Sequence, residues 1–184
     1  MSGNGHFLAR VSGEVKGNVT LRKQQYRISD NTEQSIKLAR NFITGKVYNC
    51  RWVLERAVRD YSLRIDTDSI KKKSKILYQS LEKIRTCKTS AQLLGLEGEA
   101  AAVYFSVFDE LILQQKEDFT FQGRNRRPPL DNVNAMLSFA YSLLTGMCGS
   151  ALESVGLDAY VGFFHTDRPG RISLALDIME ELRS

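Results

Sequence analysis

The 184 residues predict a mainly α-helical chain preceded by the remnant of a small β-domain. Three observations lead there. Apolar residues recur at steps of three and four from about residue 31 almost to the C-terminus. Only three prolines occur in the chain, so long helices have few interruptions. Strand-like patterning is confined to the first 21 residues. The length suits one domain, or one domain plus a piece of another, and is enough to bury a core.

The elements follow in order. Residues 6–11 and 15–21 read as two short strands around the Ser12-Gly13 turn. Two strands make a hairpin that is marginal in water, so residues 1–27 are expected to be the end of an N-terminal β-domain and its linker. Residues 28–184 are expected to form a helical domain. Asp30 with Glu33 resembles a capping box. Ile36, Ala39, Ile43, Val47, Cys50, Leu54, Ala57 and Tyr61 then mark one face of a long helix over roughly 31–63, despite Gly45. A second helix starts near Asp68 or Ser69 and buries Ile70, Leu77, Leu81 and Ile84. A third runs from Ser90 to about Gln114, with a break expected near Gly95. Phe119–Pro129 reads as a loop. Asp131 caps a fourth helix ending near Gly156. Ser173 is expected to cap a last helix, Leu174–Arg183, whose face of Leu174, Ile178 and Leu182 needs covering.

The fourth helix has no charge from Asn132 to Leu152, long enough to cross a bilayer. However, Asn134, Ser138, Ser142, Thr145 and Gly149 form a small, polar stripe opposite Leu137, Leu144 and Met147. That pattern predicts a helix inside a soluble helical protein. The three cysteines, Cys50, Cys87 and Cys148, lie far apart without CxxC spacing. They exclude a disulfide scaffold and a zinc ribbon and fit a reducing cytoplasm. The first residues show no basic region followed by an apolar stretch, so no secretory signal is expected.

Charge is divided unevenly. Residues 1–92 carry 19 Lys+Arg against 8 Asp+Glu, whereas residues 93–184 carry 7 against 13. A basic half invites a polyanion, and an acidic half containing a histidine invites a metal ion. Lys71, Lys72, Lys73 and Lys75 share the second helix and are the first candidates for DNA phosphates. Strongly salt-dependent DNA binding is expected from them.

Dinucleotide, P-loop, HExxH and GxSxG motifs are all absent. With only two histidines, and His6 close to the N-terminus, His165 is the one placed for chemistry. Asp177 and Glu180 follow one turn apart on a helix, so their carboxylates share a face. Glu97 is the third acid, set in Gly-Leu-Glu-Gly, where the glycines would let backbone or substrate come close. Glu99 lies about 200° further round and is expected to point elsewhere, as is Glu181. An imidazole with two or three carboxylates suits Mn²⁺ or Mg²⁺, with zinc the second choice. Such an ion beside arginines points to phosphodiester chemistry. Convergence of Glu97, His165 and Glu180, with carboxylate pKa values raised by mutual repulsion, is the structural expectation.

Three strings carry a resemblance. They are Gly95-Leu-Glu-Gly-Glu-Ala-Ala-Ala-Val-Tyr-Phe105, Asn125-Arg-Arg-Pro-Pro-Leu-Asp-Asn-Val-Asn-Ala-Met-Leu-Ser138, and Gly162-Phe-Phe-His165 followed by Arg168-Pro-Gly-Arg-Ile-Ser-Leu-Ala-Leu-Asp-Ile-Met-Glu-Glu-Leu-Arg183. Together they resemble CRISPR-associated protein one, the endonuclease/integrase of spacer acquisition, in the branch accompanying type I-C systems. The resemblance implies Glu97, His165 and Glu180 as metal ligands, with Asp177 shaping the site. It implies Arg168 and Arg171 near the DNA phosphate and Asn134 as a hydrogen-bonding brace. Arg124, Arg126 and Arg127 are further phosphate candidates. The implied chemistry is metal-dependent attack of a DNA 3′-hydroxyl on a phosphodiester. The implied partners are double-stranded DNA, both captured fragment and CRISPR repeat, a second copy of the chain, and a small ferredoxin-like adaptation protein in a heterohexamer. Measured against that family, the chain reads as a fragment lacking most of the β-domain and the C-terminal end. The other reading is a non-catalytic basic helical module that binds DNA or protein partners.

Overall fold

A computed structural model describes residues 18–125 and 127–184. Six α-helices follow one another: α1 (Val19–Ser29), α2 (Thr32–Tyr61), α3 (Thr67–Thr86), α4 (Ser90–Phe105), α5 (Asn132–Ser154) and α6 (Ser173–Glu180), with a short 3₁₀ turn at Phe108–Leu111 after α4. No strand occurs among the described residues, as expected for the helical domain. The expected strand at 6–11 and most of that at 15–21 lie outside them.

The end of the second expected strand is corrected. Val19, Thr20 and Leu21 are the first turn of α1. Asn18 caps it, its side chain accepting from the Leu21 N–H at 3.2 Å. The following Arg-Lys-Gln-Gln run favours helix, and α1 is held by polar rather than apolar contacts. Gln25 is 3% exposed. Its amide donates to the carbonyls of Asp158 (2.7 Å) and Val161 (2.9 Å) and accepts from the Asp158 N–H (2.9 Å). Ser29 Oγ donates to the Gly162 carbonyl. Thus α1 clamps the segment that leads into His165.

The long second helix occurs nearly as expected, but Asn31 caps it rather than Asp30, which closes α1. Asp66 and Thr89 cap α3 and α4, and Asp131 caps α5, each accepting from a backbone N–H in the first turn. The main core lies where α2 meets α3 and α4. Ile43, Leu54, Ile70, Leu77, Ile84 and Leu93 have no exposed surface there, and each contributes roughly 1.5–3 kcal/mol by burial.

The expected break at Gly95 does not occur. Leu93, Ala100 and Tyr104 anchor one side of α4 on the core, and the helix runs unbroken through both glycines. It stops at Phe105 rather than near Gln114; there Tyr104 meets Phe105 and Phe108 edge to face, and Phe121 packs at a tilt against both phenylalanines.

A second cluster joins α5 to α6, around Cys148, Leu152, Leu174, Ala175 and Met179. The small, polar stripe of α5 faces inward at Asn134, Ser138, Thr145 and Gly149, while Ser142 is exposed. Gly149 lies against Ile172 and Ala175, and Thr145 Oγ1 donates to Met179 Sδ at 3.0 Å. Met136, Phe139, Leu143 and Met147 are exposed. The helix expected to be buried inside the protein is therefore an edge helix with an open apolar side. By length and composition alone α5 could cross a membrane, and 17% of that stretch is buried.

Two details of α6 also differ. Ser173 is its first residue, donating to the Thr166 carbonyl at 3.2 Å, and provides no cap. Leu174 is buried and Ile178 packs into the second cluster, leaving Leu182 as the exposed member of that face. All three cysteines are buried, free thiols.

Candidate functional site

The segment 162–165 reaches the site because Asp177 holds it. This acid has no exposed surface. Its Oδ2 accepts from the N–H groups of Phe163 (2.6 Å) and Phe164 (2.9 Å), and its Oδ1 from the His165 N–H (2.9 Å). The same Oδ1 accepts from His165 Nδ1 at 2.7 Å. A carboxylate there can only accept, so the ring proton belongs on Nδ1 and Nε2 keeps its lone pair. Gly162 makes this approach possible. A Cβ on it would lie 2.8 Å from Ser173 Cβ and 3.0 Å from Asp177 Oδ2. Asp177 therefore orients the imidazole and is used up by doing so.

His165 Nε2 faces Glu180 Oε1 at 3.9 Å. Two atoms bound near 2.1 Å to one ion are between roughly 3 and 4.2 Å apart, so this pair can share a cation. Glu180 projects from the last turn of α6 and its side chain is 3% exposed. Glu97 enters from α4, 19% exposed. These two carboxylates meet through Lys46 of α2, whose ammonium donates to Glu180 Oε2 at 2.7 Å and to Glu97 Oε1. Arg183 Nη1 adds a bond to Glu180 Oε1 at 2.5 Å.

Sequence reasoning missed Lys46. A signal existed, since position 46 is three residues after Ile43 and four before Cys50, on the buried stripe of α2. A lysine on that stripe must have a partner. Among the described residues, no group of three His, Cys, Asp or Glu side chains stands close enough to hold an ion as placed. The donor set nevertheless fits one. Two carboxylates share one positive charge, and the imidazole Nε2 faces the other oxygen of Glu180. Lys46 is the stand-in.

The electrostatic expectation is reversed. Burial pushes the Glu180 carboxyl upward, but the charges of Lys46 and Arg183 and the Lys46 hydrogen bond outweigh it and hold the group below the usual range. Cations, not mutual repulsion, govern the cluster. The Cys50 thiol, one turn beyond Lys46, is driven up to about 12 by burial and stays neutral.

A cleft of about 500 Å³ opens from this cluster, lined in part by Lys46, Glu97, Phe105, Phe121, Arg124 and Arg183. Tyr141 of α5 lies between two guanidinium groups, with Arg183 4.7 Å and Arg124 5.5 Å from its ring centroid. Asn134, fully buried, accepts from Arg124 Nη1 (2.7 Å) and the Asn125 N–H (3.0 Å). It donates to the Gly123 carbonyl and to Asp131, so it braces the loop that carries Arg124. Arg183 Nε is buried without a hydrogen-bond partner.

The other candidates are dispersed. Arg168 is exposed and Arg171 half-buried in the loop before α6, and Arg127 is exposed. Arg126 lies outside the described residues. Lys71 and Lys72 are exposed and Lys73 half-buried on α3, away from the cleft. Glu99 faces a separate groove with Lys83 and Lys88. Glu181 packs its side chain over Gly45 instead, where a Cβ would come within 2.9 Å of its Cγ. No close approach uses Gly95 or Gly98, where an added Cβ would meet nothing within 4 Å.

Comparisons with known proteins match the whole of this chain. The family described as CRISPR associated protein Cas1 matches residues 1–184. A CRISPR-associated endonuclease Cas1 of Chlorobaculum tepidum is 49% identical over 181 residues, covering 98% of this chain and 53% of that protein. One of Rhodospirillum rubrum is 51% identical, covering 97% and 52%. The chain thus spans about half the length of the curated relatives it matches. Among solved structures, a CAS1 protein from Thermotoga maritima superposes with a TM-score of 0.76 at 28% identity, covering 95% of this chain and 52% of that one. A casposase bound to integration product superposes at 0.74 with 30% identity, covering 90% and 47%. With the family matched along its whole length, the chain belongs to the Cas1 family of CRISPR-associated proteins.

Proposed function

We propose that this chain carries the catalytic centre of a DNA endonuclease and integrase of CRISPR adaptation, which inserts captured DNA fragments into the CRISPR array. The chain of contacts that links Glu97 and Glu180 through the Lys46 ammonium, with His165 Nε2 3.9 Å from Glu180, carries this reading. Its support from the comparisons is a casposase bound to integration product, and complexes with Cas2 among similar structures. The reaction is a transesterification. A 3′-hydroxyl loses its proton and attacks phosphorus, a new P–O bond forms, and the departing 3′-oxygen takes up a proton.

Glu97, Glu180 and His165 would hold Mn²⁺ or Mg²⁺, Lys46 having moved off the carboxylates. Such an ion, when bound, polarises the phosphoryl oxygen and steadies the attacking or leaving oxygen. Asp177 keeps the Nε2 lone pair of His165 turned toward Glu180. Lys46, Arg124 and Arg183 line the cleft with positive charge, suited to a phosphate and to the charge that develops on it. Double-stranded DNA, a second copy of the chain and Cas2 are the partners this reading assigns. Its place is the cytoplasm, where Cys50, Cys87 and Cys148 remain thiols.

Lys46 favours one competing reading, a non-catalytic DNA-binding module whose carboxylates are neutralised internally. Mn²⁺ binding to the full chain, followed by electron paramagnetic resonance beside a strand-transfer assay, separates the two. Catalysis predicts that Glu97→Gln, His165→Ala and Glu180→Gln each weaken Mn²⁺ binding at least about tenfold, one lost ligand bond being worth more than 1.4 kcal/mol. Lys46→Met should strengthen it. Equal Mn²⁺ affinity in the wild type and His165→Ala, with no metal-dependent strand transfer, would establish the binding module.

A further inference from the structure

One surface cluster takes no part in the site just described. Arg51 of α2 places its guanidinium 5.5 Å from the ring centroid of Trp52 and 5.4 Å from that of Tyr78 on α3. Tyr48 meets Trp52 edge-on, with centroids 6.0 Å apart at 63°. The rings are fixed in place yet open, with Trp52 49% and Tyr78 59% exposed. Arg51 Nη2 bonds Glu55 at 3.2 Å, while its Nε is buried without a hydrogen-bond partner. Glu55 is also bound by Ser74 Oγ of α3, so the acid closest to the rings is already neutralised and tied down.

Charge extends the cluster along α3. Lys71, Lys75 and Tyr78 follow at steps of four and three and share one side of the helix. Among the described residues no carboxylate pairs with Lys71, Lys72, Lys73 or Lys75. Aromatic faces beside unpaired lysines suit a ligand with flat apolar rings on an anionic backbone. A protein partner fits less well, because lysine is depleted in protein interfaces. A duplex fits less well too, because its bases present no free faces for stacking. Unpaired nucleic acid offers both faces and phosphates.

We infer that Trp52, Arg51 and Tyr78 form a stacking site for unpaired bases of DNA, with Lys71 and Lys75 taking the adjoining phosphates. The site is distinct from the carboxylate cluster. Trp52 lies six residues beyond Lys46, roughly 9 Å along α2, and about 240° around it. The rings are held before any ligand arrives, so little ordering is needed on binding. The inference rests on the reading above only for DNA as the nucleic acid.

Trp52 is the only tryptophan of the chain, so its fluorescence reports this site directly. The experiment titrates the metal-free full chain with oligothymidylate, an abasic oligonucleotide of equal length, and a duplex, while anisotropy of labelled DNA measures binding. Oligothymidylate should quench Trp52. The abasic strand and the duplex should bind without quenching. Tyr78→Ala should weaken oligothymidylate binding about five- to a hundredfold, as expected for one lost stacking partner, with an unchanged circular dichroism spectrum. Glu97→Gln should quench as the wild type does, so failure of the catalytic reading leaves this result standing. Equal quenching by the abasic strand, binding without quenching, or no binding at all would each overturn the stacking site. Should Tyr78→Ala misfold, the three ligands on the wild-type chain decide the matter alone.

Discussion

Replacing Asp177 by asparagine should unfold the site without replacing any proposed ligand. The carboxylate accepts two N–H groups on Oδ2 and the backbone and ring N–H of His165 on Oδ1. An amide keeps one acceptor and turns two donors toward the other pair. Whichever way it flips, two hydrogen bonds to a buried charged group are lost, each worth about 1.5–3 kcal/mol. The cost is therefore about 3–6 kcal/mol. For a chain of this size, each kcal/mol lowers Tm by about 2–4 °C. The expected fall is roughly 6–24 °C in calorimetry, with a matching shift in the urea midpoint. Nitrogen NMR of the His165 ring should show the Nδ1–H tautomer in the wild type and a tautomer mixture in Asp177→Asn. Mn²⁺ binding should weaken as well, although Asp177 itself is not a ligand. A Tm within about 2 °C of wild type, with the tautomer unchanged, would refute the account of Asp177 as the acceptor that sets the loop.

Other outcomes follow from the same geometry. Gly162→Ala should displace the His165 loop, because a Cβ there meets Ser173, Asp177 and the His165 carbonyl within about 3.0 Å. Destabilisation of about 1–3 kcal/mol in urea unfolding is expected, together with weaker Mn²⁺ binding. Acid should loosen the wall of the cleft at Asp109. Burial raises that carboxyl, but its bonds to Lys116 (2.7 Å) and the Phe121 N–H (2.8 Å) outweigh this and hold its pKa below 3.8. Its stabilising contribution is complete above 3.8 and is lost as pH falls through the lower folded value. The hydrogen-exchange protection factor of the Phe121 amide, the rate relative to an unstructured amide at the same pH, should therefore fall over that acid range in the wild type, and be low already at neutral pH in Asp109→Ala.

Most of the helices were legible in the sequence because their causes are local. The stripe from Ile36 to Tyr61 repeats at helical steps over about seven turns, and Asp131 stands where a cap must stand. Such signals need no distant partner. The errors fell where tertiary contact overrides local preference. Gly95 and Gly98 weaken α4, yet Leu93, Ala100 and Tyr104 bury its other side and keep it whole. Val19–Leu21 alternate like a strand, yet Gln25 and Ser29 bind the 158–162 segment and the run becomes helix.

The chemistry divides in the same way. Residue types alone set the available reactions: one usable imidazole, acids at positions 97, 177 and 180, and a basic half suited to DNA. A chain with these groups and no nucleotide-binding or nucleophile motif has few other chemistries open to it. Only the tertiary structure distributed the roles, because 68 residues separate Glu97 from His165 and no local periodicity spans that gap. It spent Asp177 on holding His165, placed Lys46 of a third helix between two carboxylates, and turned an expected repulsion into attraction. Spacing along the chain says which residues can share a helix face. It cannot say which other helix will bring a charge to meet them.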